Sequence, residues 1–173
     1  MTYVGAGDPP PIFAGIDPDK GGGLAILCGK SRHILTLART TLRKVGKRTD
    51  FDLVVMSDLV RNFLAAKDHP VSVRIEAAQP LPAKMGGLFA NYWRGRAFAL
   101  WEMALVAHRV RYDVVQPRRW KPLILDGVGV KDHEAMRAAA RRLWPESESL
   151  FALKKDHGLA AAALIAEYGR RTG

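Results

Sequence analysis

The sequence predicts an α/β protein built on a five-stranded mixed sheet flanked by helices. Two observations predict it. Three short apolar runs near the start, Ile12 to Asp17, Leu24 to Cys28 and His33 to Leu37, are separated by Gly and Pro turns and read as an antiparallel meander. After them, segments with helical spacing alternate with short β-branched runs, the pattern of a layered α/β fold.

Each element has its own signal. Residues 1 to 11, MTYVGAGDPPP, lack an apolar signal core and read as a flexible lead-in. The first strand ends at Asp17, and Pro18, Asp19 and three glycines turn the chain into the second. A basic linker, ARTTLRKVGKR, leads to a helix starting near Asp50, where Leu53, Val54, Met56, Leu59, Val60, Phe63 and Leu64 recur at helical spacing. Val71, Val73 and Ile75 form a β-branched strand that ends at Glu76, and AAQPLP stops regular structure there. A Gly- and Pro-punctuated loop to about Phe89 follows, then a helix to about Arg109 and a strand RYDVV. The remainder is a Trp-bearing segment, a Gly loop DGVGV, a helix from Asp132 to Trp144 and an Ala-rich last helix after Asp156, which reads as its N-cap or first-turn residue. No repeat or second domain is visible, so residues 12 to 173 are expected to form one domain with a sizeable core.

Composition narrows the function. A net charge of +10, carried by 27 Lys and Arg, implies a polyanionic partner, most simply nucleic acid. A single cysteine, Cys28, excludes a disulfide framework, suggests a reducing compartment and reads as core packing. No apolar run approaches membrane-spanning length, so no membrane partner is expected.

Three carboxylates, Asp17, Glu76 and Asp156, stand one at a time at the ends of apolar segments far apart in sequence. Alone, an acid at a strand end is most often a solvated turn residue, and Asp156 a plain cap. Together they form the pattern by which a sheet and a helix gather acids around divalent metal, and that points to phosphodiester chemistry.

The runs GIDPDKGGGLAIL, RIEAAQP, VVQPRRWKPLI and KKDHG followed by a small-residue helix and AEYG resemble the RuvC-like Holliday junction resolvases of the RNase H-like superfamily. The likeness is greatest to the monokaryotic chloroplast resolvase of plants and algae and its bacterial and phage relatives, and it covers Ile12 to Gly169. The first run alone is weak, since many nucleotide-binding folds share it; the KKDHG ending in this order is specific. The resemblance implies an RNase H-like fold and a structure-selective endonuclease in DNA recombination and genome segregation that cuts four-way DNA junctions by symmetric paired nicks. It implies two Mg²⁺ per site, with Mn²⁺ able to substitute: Asp17 bridging, Glu76 on one ion, Asp156 on the other, and His157 orienting water or protonating the leaving group. A histidine bonding to backbone or DNA is the equal alternative for His157. In the relatives a further acid follows the aspartate, as in DHGxAEA, where this chain has Ala161. Glu167 lies eleven residues of helix beyond Asp156, about 16 Å, too far to replace it. Either the site is weaker, or Asp19 helps, or Ala161 is an introduced inactivating change, which is the preferred reading.

Junction recognition is expected from the loop and helix start after Glu76. There Lys84, Arg94 and Arg96 can meet phosphates, Gly86 and Gly87 allow close approach, and Met85, Leu88, Tyr92, Trp93 or, as the best candidate, Phe89 can wedge at the crossover. Trp93 and Trp101 read more readily as a buried helix face. Arg118, Arg119 and Lys121, around Trp120, form a second basic site, and Lys131 and Lys155 flank helix starts near the metals. Paired nicking implies a homodimer, through the helix from Asp50 or that from Phe89 to Arg109. The compartment would be the chloroplast nucleoid in a plant or alga, otherwise the cytoplasm of a bacterial or phage-infected cell. The rival readings are another RNase H-like nuclease on branched DNA or RNA–DNA hybrid, an actin-like ATPase lobe, for which the chain is too short, and a non-catalytic DNA-binding protein.

Overall fold

The computed structural model of the chain describes residues 9–65, 69–82, 84, 87–125 and 133–173. In chain order its elements are β1 (Ile12–Asp17), β2 (Gly23–Cys28), β3 (Ile34–Arg39), β4 (Leu42–Val45), β5 (Arg48–Phe51), α1 (Leu53–Phe63), β6 (Val71–Glu76), α2 (Gly87–Ala107), β7 (Asp113–Val115), α3 (Pro117–Leu125), α4 (His133–Leu143) and α5 (His157–Thr172). The main sheet has the order β3-β2-β1-β6-β7. β1, β2 and β3 are antiparallel neighbours, while β6 and β7 continue the sheet in parallel from β1, as the alternation of helix and strand dictates.

The central strand β1 is buried on both faces, so it carries a nearly continuous apolar run. On one face Ile16, Leu24, Ile26 and Ile75 pack against Met56 and Val60 of α1 and Trp101 and Leu105 of α2. On the other, Ala25, Leu27 and Val115 meet Trp120, Trp144, Phe151 and the apolar side of α5. The small residues of α5 have a steric cause: a Cβ on Gly15 of β1 would stand 2.1 Å from the Ala162 carbonyl oxygen, so strand and helix touch through backbone. The small-residue pattern thus seats α5, and with it His157 and Ala161, on the strand that carries Asp17.

Three sequence expectations change. The basic linker is a second, two-stranded sheet of β4 and β5. Because Arg48–Phe51 are committed to that pairing, α1 starts at Leu53 rather than near Asp50, capped by the Asp52 carboxylate, which accepts from the Val55 N–H at 3.2 Å. Cys28 closes β2 half-buried, rather than sitting in the core. No helix of the described residues is long and apolar enough to cross a membrane.

Candidate active site

Asp17 ends β1 and Glu76 ends β6. The two strands are parallel neighbours with Ile16 opposite Ile75, so both carboxylates leave the sheet at the same end. A cavity of about 130 Å³ opens there, and its wall includes Asp17, Asp19, Glu76, Arg94, Lys121 and His157. His133 of α4 lies on the same wall, its ring stacked on His157 with centroids 4.2 Å apart. Ala161, one α5 turn beyond His157, completes it.

Crowding of acids in a dry site sets the electrostatics. Burial, then repulsion by Asp19 and Glu76, pushes the Asp17 carboxyl up to about 8. Burial also raises Glu76, opposed by the Lys121 charge and by the Trp120 indole N–H, which donates to Glu76 Oε2 at 2.7 Å. Arg94 stands 3.4 Å from the Asp19 carboxylate, and its buried Nε has no hydrogen-bond partner among the described residues. His157 Nδ1 lies 3.0 Å from the Lys154 carbonyl oxygen. A carbonyl only accepts, so Nδ1 donates and Nε2 is left to take a proton.

Asp156 is placed differently from Asp17 and Glu76. It is buried, but its Oδ2 accepts from the Leu153 N–H at 2.7 Å and its Oδ1 from Arg39, whose other nitrogen donates to the Lys155 carbonyl at 2.9 Å. The turn of Lys154–Asp156 and the Arg39 guanidinium together hold this carboxylate off the cavity wall. Glu167 is fully buried and bound by Arg170, Arg171 and Arg32, away from the cavity.

The donors on the cavity wall match divalent metal in their chemistry, though they are not gathered into ready-made coordination. Asp17, Asp19 and Glu76 are hard oxygen donors facing one cavity, the donor set that Mg²⁺ accepts while keeping several waters. Among the described residues no three His, Cys, Asp or Glu side chains already form a metal-holding group.

The expected DNA contacts separate into groups. Phe89, 74% exposed, lies in the first turn of α2, which Gly87 opens at φ +63°; Lys84 is exposed beside it. Arg96 is engaged at 3.0 Å with Asp50 of β5. Arg118 and Arg119 line a separate cavity of about 420 Å³ along β7, and Lys155 is exposed near the start of α5. Trp101 and Trp120 are fully buried and Trp93 half-buried. Met85, Gly86 and Lys131 lie outside the described residues. Sequence reasoning missed Trp120 as the donor that orients Glu76, His133, and Lys20, whose ammonium sits 3.5 Å above the Trp93 ring. The helical register of Trp120, which puts it with Ile124 on the inner side of α3, was the available signal for the first.

Fold and site together define the class: an RNase H-like α/β protein with paired acids at the ends of its two central parallel strands. Solved structures of Thermus thermophilus RuvC share this fold. One, in complex with a Holliday junction substrate, superposes with a TM-score of 0.57 at 16% identity over 94% of this chain and 96% of that one. Another gives 0.51 at 17% identity over 93% and 96%. No protein-family profile and no curated protein sequence matches the chain.

Proposed function

We propose that this chain is a metal-dependent, structure-selective endonuclease acting on four-way DNA junctions, of the RuvC-like kind and nearest, by its KKDHG ending, to the monokaryotic chloroplast resolvases of genome segregation. The observation that carries the reading is the acid cavity at the ends of β1 and β6, flanked by Arg94 and Lys121, on a fold shared with a protein solved on a Holliday junction. Asp17, Asp19 and Glu76 would hold Mg²⁺, or Mn²⁺ in its place; two bound ions supply a metal-activated water and charge neutralisation at the leaving oxygen. Lys121 and Arg94 draw the scissile phosphate to the acids. The Trp120 N–H holds Glu76 in place and favours its charged form against the burial that raises it. His157, with Nε2 as acceptor, takes the proton of the attacking water.

Two features favour slow cutting. Ala161 brings no carboxylate to the wall, and Asp156 joins the donors only by exchanging Arg39 for a cation. The chain therefore holds a junction better than it cuts it. Paired nicking requires a homodimer, and α1 and α2 offer exposed apolar side chains for one, among them Val54, Met103 and Val106.

Anisotropy titrations of a four-way junction, a linear duplex and an RNA–DNA hybrid test the substrate class. A preference of about tenfold or more for the junction, about 1.4 kcal/mol, is expected at moderate salt. Equal affinities would point to a general nuclease or DNA-binding role instead.

A further inference from the structure

The sheet of β4 and β5 is a free-standing hairpin. Its register pairs Leu42 with Phe51, Arg43 with Asp50, Lys44 with Thr49 and Val45 with Arg48, and Gly46, at φ +60°, turns the tip with nothing packed against it. All of β4 is exposed, as are Arg48 and Thr49. A two-stranded ribbon with so little burial is marginal by itself, so it must be held at its foot. It is held firmly. Phe51 is buried against Trp93, Asp50 is paired with Arg96, and the Asp52 N–H donates to the Thr41 carbonyl at 2.8 Å.

The foot is tied to the turn that leads into the acid cavity. The Thr40 N–H donates at 3.0 Å to the Gly22 carbonyl, in the turn that carries Asp19. Arg96 lies two residues from Arg94 on the cavity wall. Beyond this foot the ribbon bears Arg43, Lys44, Lys47 and Arg48, none of whose charged groups forms an ion pair with a described residue, while its one acid, Asp50, is already neutralised. A ribbon of this width fits the major groove of B-form DNA, and four strand residues give it a reach of about 13 Å.

We propose that the β4–β5 hairpin is a second DNA-binding element, a basic ribbon that lies along a duplex arm of the substrate and sets its angle to Asp17 and Glu76. The proposal takes its partner, duplex DNA, from the nuclease reading. The hairpin supplies phosphate contacts rather than chemistry, so its loss weakens binding and lowers the salt dependence.

The test is a salt series of anisotropy titrations on a four-way junction and a linear duplex. It compares the chain with a variant carrying Arg43→Gln, Lys44→Gln, Lys47→Gln and Arg48→Gln, and with a control carrying Lys30→Gln and Arg111→Gln at the opposite end of the sheet. The hairpin variant is expected to bind at least about tenfold more weakly at physiological salt, with the slope of log K against log salt shallower by about 2–4; the control should change by far less. Lys47→Glu alone, at the exposed tip, should lower affinity in the same direction with unchanged melting, which distinguishes weakened phosphate binding from unfolding of the ribbon. Unchanged affinity and slope in both hairpin variants, or an equal loss in the control, overturns the proposal. If the chain binds junction and duplex equally while the hairpin variant loses both, the ribbon stands and the junction-selective reading falls.

Discussion

Asp17 shows how a single residue reports on the whole site. Unfolded, its carboxyl titrates near 3.8; folded, burial and the neighbouring acids raise it to about 8. Between those values the native state binds the extra proton, so this group's contribution falls as pH rises from about 4 to about 8. Asp17→Asn is therefore expected to melt higher than the parent in metal-free buffer near pH 8, by about 2–4 °C for each kcal/mol relieved. Millimolar Mg²⁺ or Mn²⁺ should raise the melting temperature of the parent and leave the variant unmoved, because only the parent gains a bound cation. Equal metal stabilisation of both proteins would remove Asp17 from the metal site. Trp120 acts one step back. Trp120→Phe keeps the core ring and removes the N–H on Glu76, so metal affinity, read by Mn²⁺ electron paramagnetic resonance, should drop about 10–100-fold with junction affinity unchanged. An unaltered Mn²⁺ titration would show that the hydrogen bond is incidental.

At the scale of elements, α2 and α5 carry opposite kinds of evidence. Phe89 is exposed on the first turn of α2 and meets the edge of the Trp93 ring, so Phe89→Ala should shift stability by no more than about 0.5 kcal/mol. Cutting of intact junctions should fall more than cutting of pre-nicked ones, since a nicked junction is already open. A large drop in melting temperature would make Phe89 a packing residue. Glu167 of α5 is the reverse. Burial raises its carboxyl, but hydrogen bonds from Arg170 and Arg171 and the Arg32 charge outweigh it and hold it below the usual range. Its stabilisation is present above about pH 4.5 and is lost as pH falls through the lower folded value. Glu167→Gln should cost about 1.5–3 kcal/mol at neutral pH, and thermal melts should show the gap to the parent closing in acid. A pH-independent gap would mean that the charge cluster is not what Glu167 contributes.

At the scale of the molecule, the antiparallel meander, the mixed five-stranded sheet and the meeting of Asp17 with Glu76 were readable, because apolar runs ending in acids leave few places for those acids to go, whereas the strand order and the helix Pro117–Leu125 were not read. Nor was the hairpin. Leu42 and Phe51 anchor only its foot, and the cations between them read as a linker, since two pairing strands of four residues carry too short a pattern to stand out. Asp156 was placed with the other acids because sequence gives a residue's position but not its partner, and Arg39 is 117 residues away. Ala161, by contrast, lines the cavity, in keeping with its place on the helix that opens at Asp156. The most direct test of the central claim starts there. A synthetic four-way junction, labelled on each strand in turn, is incubated with the chain, with Ala161→Glu and with Ala161→Glu/Asp17→Asn, with and without Mg²⁺. The account predicts that the chain binds but cuts slowly, that Ala161→Glu makes paired nicks at symmetric positions on opposed strands only with Mg²⁺, and that adding Asp17→Asn abolishes them. Nicks scattered along linear arms, or metal-dependent cutting that survives Asp17→Asn, would contradict it.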